Sequence, residues 1–196
     1  MQDFIQGLPK VELHVHLEGS VTPQFWYQLL QKHGGNGKQH SLASLEKRFQ
    51  YTSFLEFLWA FRDVLDAFQQ PDDFYDLTLE FLKNSAAQNI RYCEVMMTPF
   101  FMTKKGMDLH EILQEIDRAA KEAEQRWNIE MKLLFDGPRN FGNEVVRLVF
   151  DQALADKTGR VIGVGLGGDE ANFPARDFID EFAYARASGL EVIAHA

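Results

Sequence analysis

The chain has 196 residues, of which 45% are hydrophobic and 25% charged, and its net charge is −9. These values fit one globular domain with a sizeable core. The net charge is negative and no stretch of the sequence is strongly basic, so we expect no nucleic-acid partner. No apolar run reaches the roughly 18 residues of a transmembrane helix and the start lacks a signal peptide, so we expect no membrane partner. The single cysteine, Cys93, excludes an internal disulfide and suits a cytoplasmic location.

Short apolar runs of β-forming residues alternate along the chain with helical patterns. The predicted strands are residues 11–17, 90–98, 129–135, 161–166 and 191–195. Capping signals or apolar stripes predict helices that start at Thr22-Pro23, Ser53, Pro71 and Asp108 and near residues 143 and 174. Strands that alternate with helices indicate parallel βαβ units and therefore an α/β fold.

The first interval between predicted strands is longer than the later ones. Strand starts at residues 11, 90, 129, 161 and 191 are separated by 79, 39, 32 and 30 residues. A βαβ step needs about 30 or more residues, so the first interval holds about 40 extra. We predict that residues 18–70 contain a helical insertion, or lid, over the strand ends. Its apolar side chains would either pack on the domain or wall a pocket: Phe54, Phe57, Leu58, Trp59 and Phe61.

Two histidines stand one residue apart in the first predicted strand. Because side chains alternate along a strand, His14 and His16 should share one face, while the apolar residues around them take the other. A single histidine in such a run is commonly a hydrogen-bonded core residue. Two adjacent imidazoles are costly to bury unless a metal ion binds both, so this pattern favours a metal site.

Two further features lie at the ends of predicted strands four and five. His195 ends the fifth strand, where parallel barrels place their active sites, and it would supply a third imidazole. A catalytic zinc ion commonly has three protein ligands and water, although a lone histidine there can also be structural. Residues 165–170 read Gly-Leu-Gly-Gly-Asp-Glu. Their glycines would either let a backbone N–H approach a ligand or form a tight turn.

Three motifs resemble those of the adenosine/adenine deaminase family of metal-dependent amidohydrolases. They are PKVELHVHLEG at residues 9–19, LGGDE at residues 166–170, and IAHA at residues 193–196, which is similar to the start of a His-Ala-Gly-Glu motif. They occur in the family's order and span the chain. The resemblance implies a TIM (β/α)₈ barrel of the metallo-dependent hydrolase type. Residues 1–196 would form one incomplete domain containing about the first five strands.

The resemblance also implies roles for particular residues. His14, His16 and His195 would bind one zinc ion per subunit, Glu18 would lie near the sugar pocket, and the Gly168 N–H would meet the purine ring. The implied reaction is hydrolytic deamination of a small-molecule aminopurine, with adenosine to inosine plus ammonia as the first candidate. Glu18 stands where well-known adenosine deaminases have aspartate. Adenine or a modified adenosine such as aminodeoxyfutalosine is therefore an alternative substrate.

The same comparison of motifs sets expectations about what the chain lacks. Residues 161–168 contain no lysine, which argues against a binuclear site with a carbamylated lysine. The proton-donating glutamate of the third motif would follow Ala196, so the resemblance implies no catalytic acid within these residues. We interpret the chain as the N-terminal part of a longer enzyme and expect residues 1–196 alone to be inactive. A different amidohydrolase that cuts a ring amide or ester, and a non-catalytic degenerate barrel, are the alternatives.

The other residues capable of chemistry are predicted to be structural. His33, His40 and His110 fall in predicted loops and helix ends, so we expect them at the surface. Cys93, Met96 and Met97 lie on the second predicted strand. We expect Cys93 to be buried as a small hydrophobe, and the two methionines to pack in the core or line an apolar wall.

Overall fold

A computed structural model describes residues 1–34 and 40–194, with only the backbone at residues 2, 54 and 55. The strands are β1 Lys10–His16, β2 Ile90–Met97, β3 Glu130–Pro138, β4 Val161–Gly167 and β5 Glu191–Val192. The helices are α1 Gln2–Gly7, α2 Pro23–Lys32, α3 Leu42–Arg48, α4 Phe54–Ala67, α5 Asp72–Ala87, α6 Pro99–Lys104, α7 Leu109–Trp127, α8 Asn143–Leu154 and α9 Ile179–Ala187. Short 3₁₀ helices occur at Glu18–Ser20, Arg139–Phe141 and Ala175–Phe178.

The strands form one parallel sheet in the order β1-β2-β3-β4-β5. Each strand therefore pairs with its successor in the chain, as in a (β/α)₈ barrel, whereas a doubly wound sheet reverses its strand order. The predicted fold class is confirmed, with five strands of such a barrel. Within the described residues, β1 and β5 are the two edges of the sheet. No described helix is both long enough and apolar enough to cross a membrane.

The strands match their predictions closely except at two ends. β3 extends three residues beyond the predicted end at Phe135, because its pairing with β4 continues as far as Pro138 and Gly167. The predicted fifth strand reaches His195, but only Glu191–Val192 is paired as strand, and residues 195 and 196 lie outside the described part of the chain. The short helices α1, α3 and α6 have no counterpart in the prediction, since a helix of six or seven residues shows little periodicity.

The strands contribute apolar side chains to one core. Val95, Phe135 and Leu166 belong to the apolar core between the sheet and its helices. Cys93, Met96 and Met97 are buried as predicted. Burial raises the pKa of the Cys93 thiol to about 11, which keeps it protonated at neutral pH.

A buried carboxylate connects the inserted helices to the rest of the domain. Asp73, at the start of α5, accepts hydrogen bonds from the backbone N–H groups of Gln69 and Gln70, at 2.9 and 3.0 Å. It also lies 2.9 Å from Lys32 Nζ and 2.8 Å from His33 Nε2. The prediction that His33 lies at the surface is wrong, because this contact leaves its side chain only 4% exposed. His40 and His110 are exposed, as predicted.

A second contact anchors the C-terminal end of α4. Lys105, just after α6, donates hydrogen bonds of 2.9 Å to the carbonyl oxygens of Leu65 and Phe68. Leu65 lies in the last turn of α4 and Phe68 is the residue that follows the helix, so Lys105 caps its C-terminal end. Burial lowers the pKa of the Lys105 ammonium group. The end of α4 is therefore attached to the segment that follows β2.

Candidate metal and substrate site

The carboxyl end of β1 carries the two histidines. Their ring centroids are 5.5 Å apart. The β1–β2 register slips by one residue between Glu12 and Val15, which pair with Cys93 and Val95. Such bulges redirect side chains and are common beside active sites. His14 is exposed, whereas the His16 side chain is 27% exposed and turns toward the neighbouring strands.

His16 faces an aspartate on β3 that the sequence analysis missed. The His16 Nδ1 atom lies 3.6 Å from Asp136 Oδ2, an ion-pair distance rather than a hydrogen bond. Asp136 is 2% exposed, and its Oδ2 atom has no hydrogen-bond partner among the described residues. Burial and the nearby charge of Glu18 raise the pKa of Asp136 to about 7, while Arg139 acts in the opposite direction.

Glycines on β4 provide the space that the Asp136 carboxyl group occupies. A Cβ atom on Gly165 would lie 2.5 Å from Asp136 Oδ1, and one on Gly167 would lie 3.5 Å from Oδ2. Both glycines occupy alternate positions, so they share one face of β4. The signal in the sequence was a carboxylate directly after the apolar run of β3, followed by glycines at every second position of β4.

Glu18 connects the carboxyl ends of β1 and β2. It is 1% exposed, and its Oε1 atom accepts a hydrogen bond of 2.9 Å from the Thr98 backbone N–H. Its Oε2 atom has no hydrogen-bond partner among the described residues. Burial raises the pKa of Glu18 to about 7, against the lowering effect of the backbone hydrogen bonds. The assignment of Glu18 to a sugar pocket stays a prediction.

Gly168 follows β4 at the same edge of the sheet. Its φ of +102° lies in a region that side chains rarely adopt, and a Cβ atom there would collide with Asn140 Oδ1. Glycine is therefore required at this position for backbone reasons alone, and contact with a purine ring stays a prediction. The third predicted ligand, His195, lies outside the described residues.

A fully buried arginine holds the ends of β3 and β4 together. Arg139 donates hydrogen bonds from Nη2 to the Leu166 carbonyl oxygen at 3.0 Å and from Nη1 to the Phe173 carbonyl oxygen at 3.3 Å. Its positive charge lies close enough to lower the pKa of Asp136. The site therefore combines two imidazoles, two buried carboxyl groups and one buried guanidinium group.

Aromatic side chains of α4 adjoin the histidine end of β1. A Cβ atom on Gly19 would lie 3.5 Å from His16 Cβ and 3.8 Å from Phe61 Cε2, so Phe61 lies beside this segment. The Phe57 and Phe61 rings stack with centroids 6.1 Å apart. Phe61 packs against the core, whereas three other predicted members are exposed: Phe57, Leu58 and Trp59. The side chain of Phe54 lies outside the described residues.

Comparison with known families decides where this chain belongs. The family model described as adenosine deaminase matches residues 9–196. The chain belongs to the adenosine deaminase family. The predicted resemblance, drawn from three short motifs, is thereby confirmed.

Curated members of the adenosine deaminase family align with the whole chain. An adenine deaminase of Vibrio parahaemolyticus is 32% identical over 196 residues, which cover 100% of this chain and 58% of that protein. An aminodeoxyfutalosine deaminase of Streptomyces avermitilis is 34% identical over 200 residues, covering 100% of this chain and 55% of that protein. The chain thus spans less than two thirds of the length of these relatives.

Two solved structures share the fold of this chain. An adenine deaminase from Arthrobacter aurescens superposes with a TM-score of 0.88 at 28% identity, covering 96% of this chain and 57% of that one. An amidohydrolase from Burkholderia ambifaria, solved with bound zinc, has a TM-score of 0.89 at 25% identity, covering 100% of this chain and 54% of that one. These matches agree with a partial barrel.

The described residues of this adenosine deaminase family member fit a zinc ion in their chemistry. Neutral imidazole is a preferred zinc ligand, and His14 and His16 lie side by side. The buried Asp136 Oδ2 and Glu18 Oε2 atoms have no hydrogen-bond partners within the described chain, so a nearby cation would offset their burial. Within residues 1–34 and 40–194, no group of three or more His, Cys, Asp or Glu residues is arranged to bind a metal. The assignment of His14 and His16 as metal ligands therefore stays a prediction.

The close approach of β4 to Asp136 yields a first prediction. We expect Gly165→Ala to lower the free energy of unfolding by about 1–3 kcal/mol, because the added methyl group overpacks the site. It would lie 2.5 Å from Asp136 Oδ1 and 3.2 Å from Ile193 Cγ1. Urea unfolding of the single variant and of Gly165→Ala/Asp136→Ala measures the effect, and the second change should recover part of the loss.

The matched control for this prediction is Gly7→Ala, where an added Cβ would meet nothing within 4 Å. It should change the free energy of unfolding by less than about 0.5 kcal/mol. Equal stability of Gly165→Ala and the wild type would show that β4 does not need glycine to accommodate Asp136.

Proposed function

We propose that this protein is a zinc-dependent hydrolase that removes the amino group of an aminopurine as ammonia. The observation that carries the proposal is the His14–His16 pair beside two buried carboxyl groups at the carboxyl ends of parallel strands. Active sites of (β/α)₈ barrels lie at that edge. Family membership and the names of the relatives, which are deaminases of purine compounds, support the same reaction class.

The residues of the site would each make a separate contribution. His14 and His16, with His195 as the predicted third ligand, would hold the zinc ion through imidazole nitrogens. When bound, zinc supplies a water activated at neutral pH, because its pKa falls to about 7. The Thr98 N–H fixes one oxygen of Glu18, so that its Oε2 atom can accept a hydrogen bond from the substrate. The Gly168 N–H would donate to the purine ring.

We propose adenosine as the first candidate substrate, with adenine and aminodeoxyfutalosine supported equally as alternatives. The relatives' names include adenine deaminase and aminodeoxyfutalosine deaminase. Glu18 bears on this choice because its longer side chain stands where well-known adenosine deaminases carry aspartate. The three compounds differ in the group attached to the purine. Measuring the turnover of each compound therefore identifies which of them is the substrate.

The test is ammonia release by the native polypeptide that contains these residues, reconstituted with zinc and assayed with adenosine, adenine and aminodeoxyfutalosine in parallel. We expect release from at least one compound, its loss on removal of zinc by a chelator, and its return on addition of zinc. A zinc-loaded protein that releases ammonia from none of them, but hydrolyses a lactam, would replace the proposal with another amidohydrolase activity.

We further propose that residues 18–70 form a lid whose α4 side chains wall the substrate pocket. The support is the position of Phe61 beside His16 and Gly19, and the attachment of the α4 C-terminus through Lys105. The exposed aromatic residues near Phe61 provide apolar surface at the same edge of the sheet. An apolar wall with a few polar groups is typical of small-molecule pockets.

The lid proposal predicts a specific effect of Phe61→Ala. We expect the KM for the preferred aminopurine to rise about tenfold, since lost ring contact of about 1.5 kcal/mol corresponds to that factor. Zinc content should stay unchanged. Steady-state kinetics and metal analysis measure both quantities, with Phe4→Ala on the exposed helix α1 as the control. An unaltered KM in Phe61→Ala would exclude Phe61 from the pocket.

A further inference from the structure

The proposed function assigns no task to Asp136, although its carboxyl group lies beside His16. Its carboxyl group is buried, and Oδ2 has no hydrogen-bond partner among the described residues. The same atom lies 3.6 Å from Nδ1 of His16. A buried carboxyl oxygen without a partner is costly, so its retention requires a compensating interaction.

The surroundings of Asp136 are built to keep the carboxyl group in this position. Gly165 and Gly167 leave space for it on the β4 side, where any side chain on Gly165 would displace it. Arg139 directs two donors to the carbonyl oxygens of Leu166 and Phe173, so it contributes its charge while remaining fixed to the backbone. Oδ2 is thereby left facing the imidazole of His16.

We infer that Asp136 is a positioning residue for His16 that accepts a hydrogen bond from Nδ1–H and so presents the opposite ring nitrogen, Nε2, to the metal ion. This inference rests on the zinc site of the proposed function. A neutral imidazole binds a metal through its unprotonated nitrogen, so an acceptor beside Nδ1 selects the required tautomer. Carboxylates that hold metal-binding histidines in this way also increase ligand basicity.

A positioning role and a structural role predict different effects of substitution. If Asp136 stabilised the fold, its removal would weaken the metal-free protein. If it orients His16, Asp136→Asn and Asp136→Ala should leave metal-free stability unchanged or raised, because a costly buried group is removed. Zinc affinity should fall roughly 10- to 100-fold, the usual loss when a group that orients a metal ligand is replaced.

The experiment uses the native polypeptide and measures zinc affinity by competition with a chelating dye. Two further measurements are made on each variant: the visible absorption spectrum of the cobalt-substituted protein, and the thermal unfolding of the metal-free protein. We expect both Asp136 variants to bind zinc more weakly and to shift the cobalt spectrum. The control is Glu181→Gln, a buried carboxyl group on α9 that accepts from Asn143 Nδ2 at 3.1 Å and lies on the outer helix layer. It should leave zinc affinity unchanged.

The outcomes separate this inference from the proposed function. Zinc affinity of Asp136→Asn equal to that of the wild type overturns the inference, and so does a loss of metal-free stability that accounts for the weaker binding. If Asp136→Ala fails to fold, the near-isosteric Asp136→Asn variant decides. A wild-type protein that binds zinc but deaminates nothing refutes the proposed function alone. A wild-type protein that binds no zinc refutes both.

Discussion

Replacing His16 with alanine is expected to abolish stable zinc binding and ammonia release. His16 and His14 are the two described imidazoles of the site, and their rings are adjacent. Replacing a residue that only orients a metal ligand costs roughly 10- to 100-fold in affinity, so loss of the ligand itself should cost more than about 100-fold. Zinc content after dialysis, together with ammonia release from the preferred aminopurine, measures the effect.

The control for His16→Ala is His110→Ala, which removes an exposed histidine near the start of α7. His110 lies 3.0 Å from Gln114 in the same helix and contacts no part of the site, so zinc content and turnover should match the wild type. His14→Ala should resemble His16→Ala. Retention of one zinc ion per chain in both histidine variants would disprove the assignment of this pair as ligands.

The second large effect is expected from Arg139→Met, which should lower the free energy of unfolding by about 3–5 kcal/mol. Arg139 is fully buried and donates to the carbonyl oxygens of Leu166 and Phe173. Methionine preserves much of the apolar stem but leaves both carbonyls without these donors and removes the cation near Asp136. The pKa of Asp136 should then rise further, since Arg139 is the group that lowers it.

Urea unfolding at neutral pH measures the Arg139→Met effect, and Arg176→Met is the matched control. The Arg176 side chain is 81% exposed and its Nε atom lies 3.8 Å from Asp177 Oδ1, an exposed pair that contributes little. The control should change the free energy of unfolding by less than about 0.5 kcal/mol. If Arg139→Met is no more destabilised than the control, the buried guanidinium group does not hold β3 to β4.

The parts of this fold that the sequence predicted are those that depend on local pattern. β1, β2 and β4 are short segments rich in β-forming apolar residues, and α7 follows a capping aspartate, Asp108, whose side chain accepts from two backbone N–H groups. Alternation within β1 was enough to predict that His14 and His16 lie together. These signals are local because they follow from side-chain periodicity and from capping by neighbours.

The contacts that the sequence analysis missed all join segments distant in the chain. His33 was expected at the surface, but it contacts Asp73, which lies 40 residues away. Asp136 was overlooked because the predicted third strand ends at Phe135, whereas pairing with β4 keeps Asp136 in the strand. Both contacts depend on how separate elements pack, and the alternating glycines of β4 show only that one face of that strand lacks side chains, not which group occupies the space.

The amino-acid sequence alone was enough to predict the α/β class, the positions of the strands along the chain and the histidine pair on β1. Three motifs in it also predicted the family. Tertiary structure alone showed that Asp136 reaches His16, that Glu18 and Asp136 are buried with oxygens lacking partners within the described residues, and that Arg139 joins β3 to β4. The reason is physical: periodicity places side chains along a single element. The pKa and the hydrogen-bond partners of a buried group depend instead on neighbours that packing brings from elsewhere in the chain.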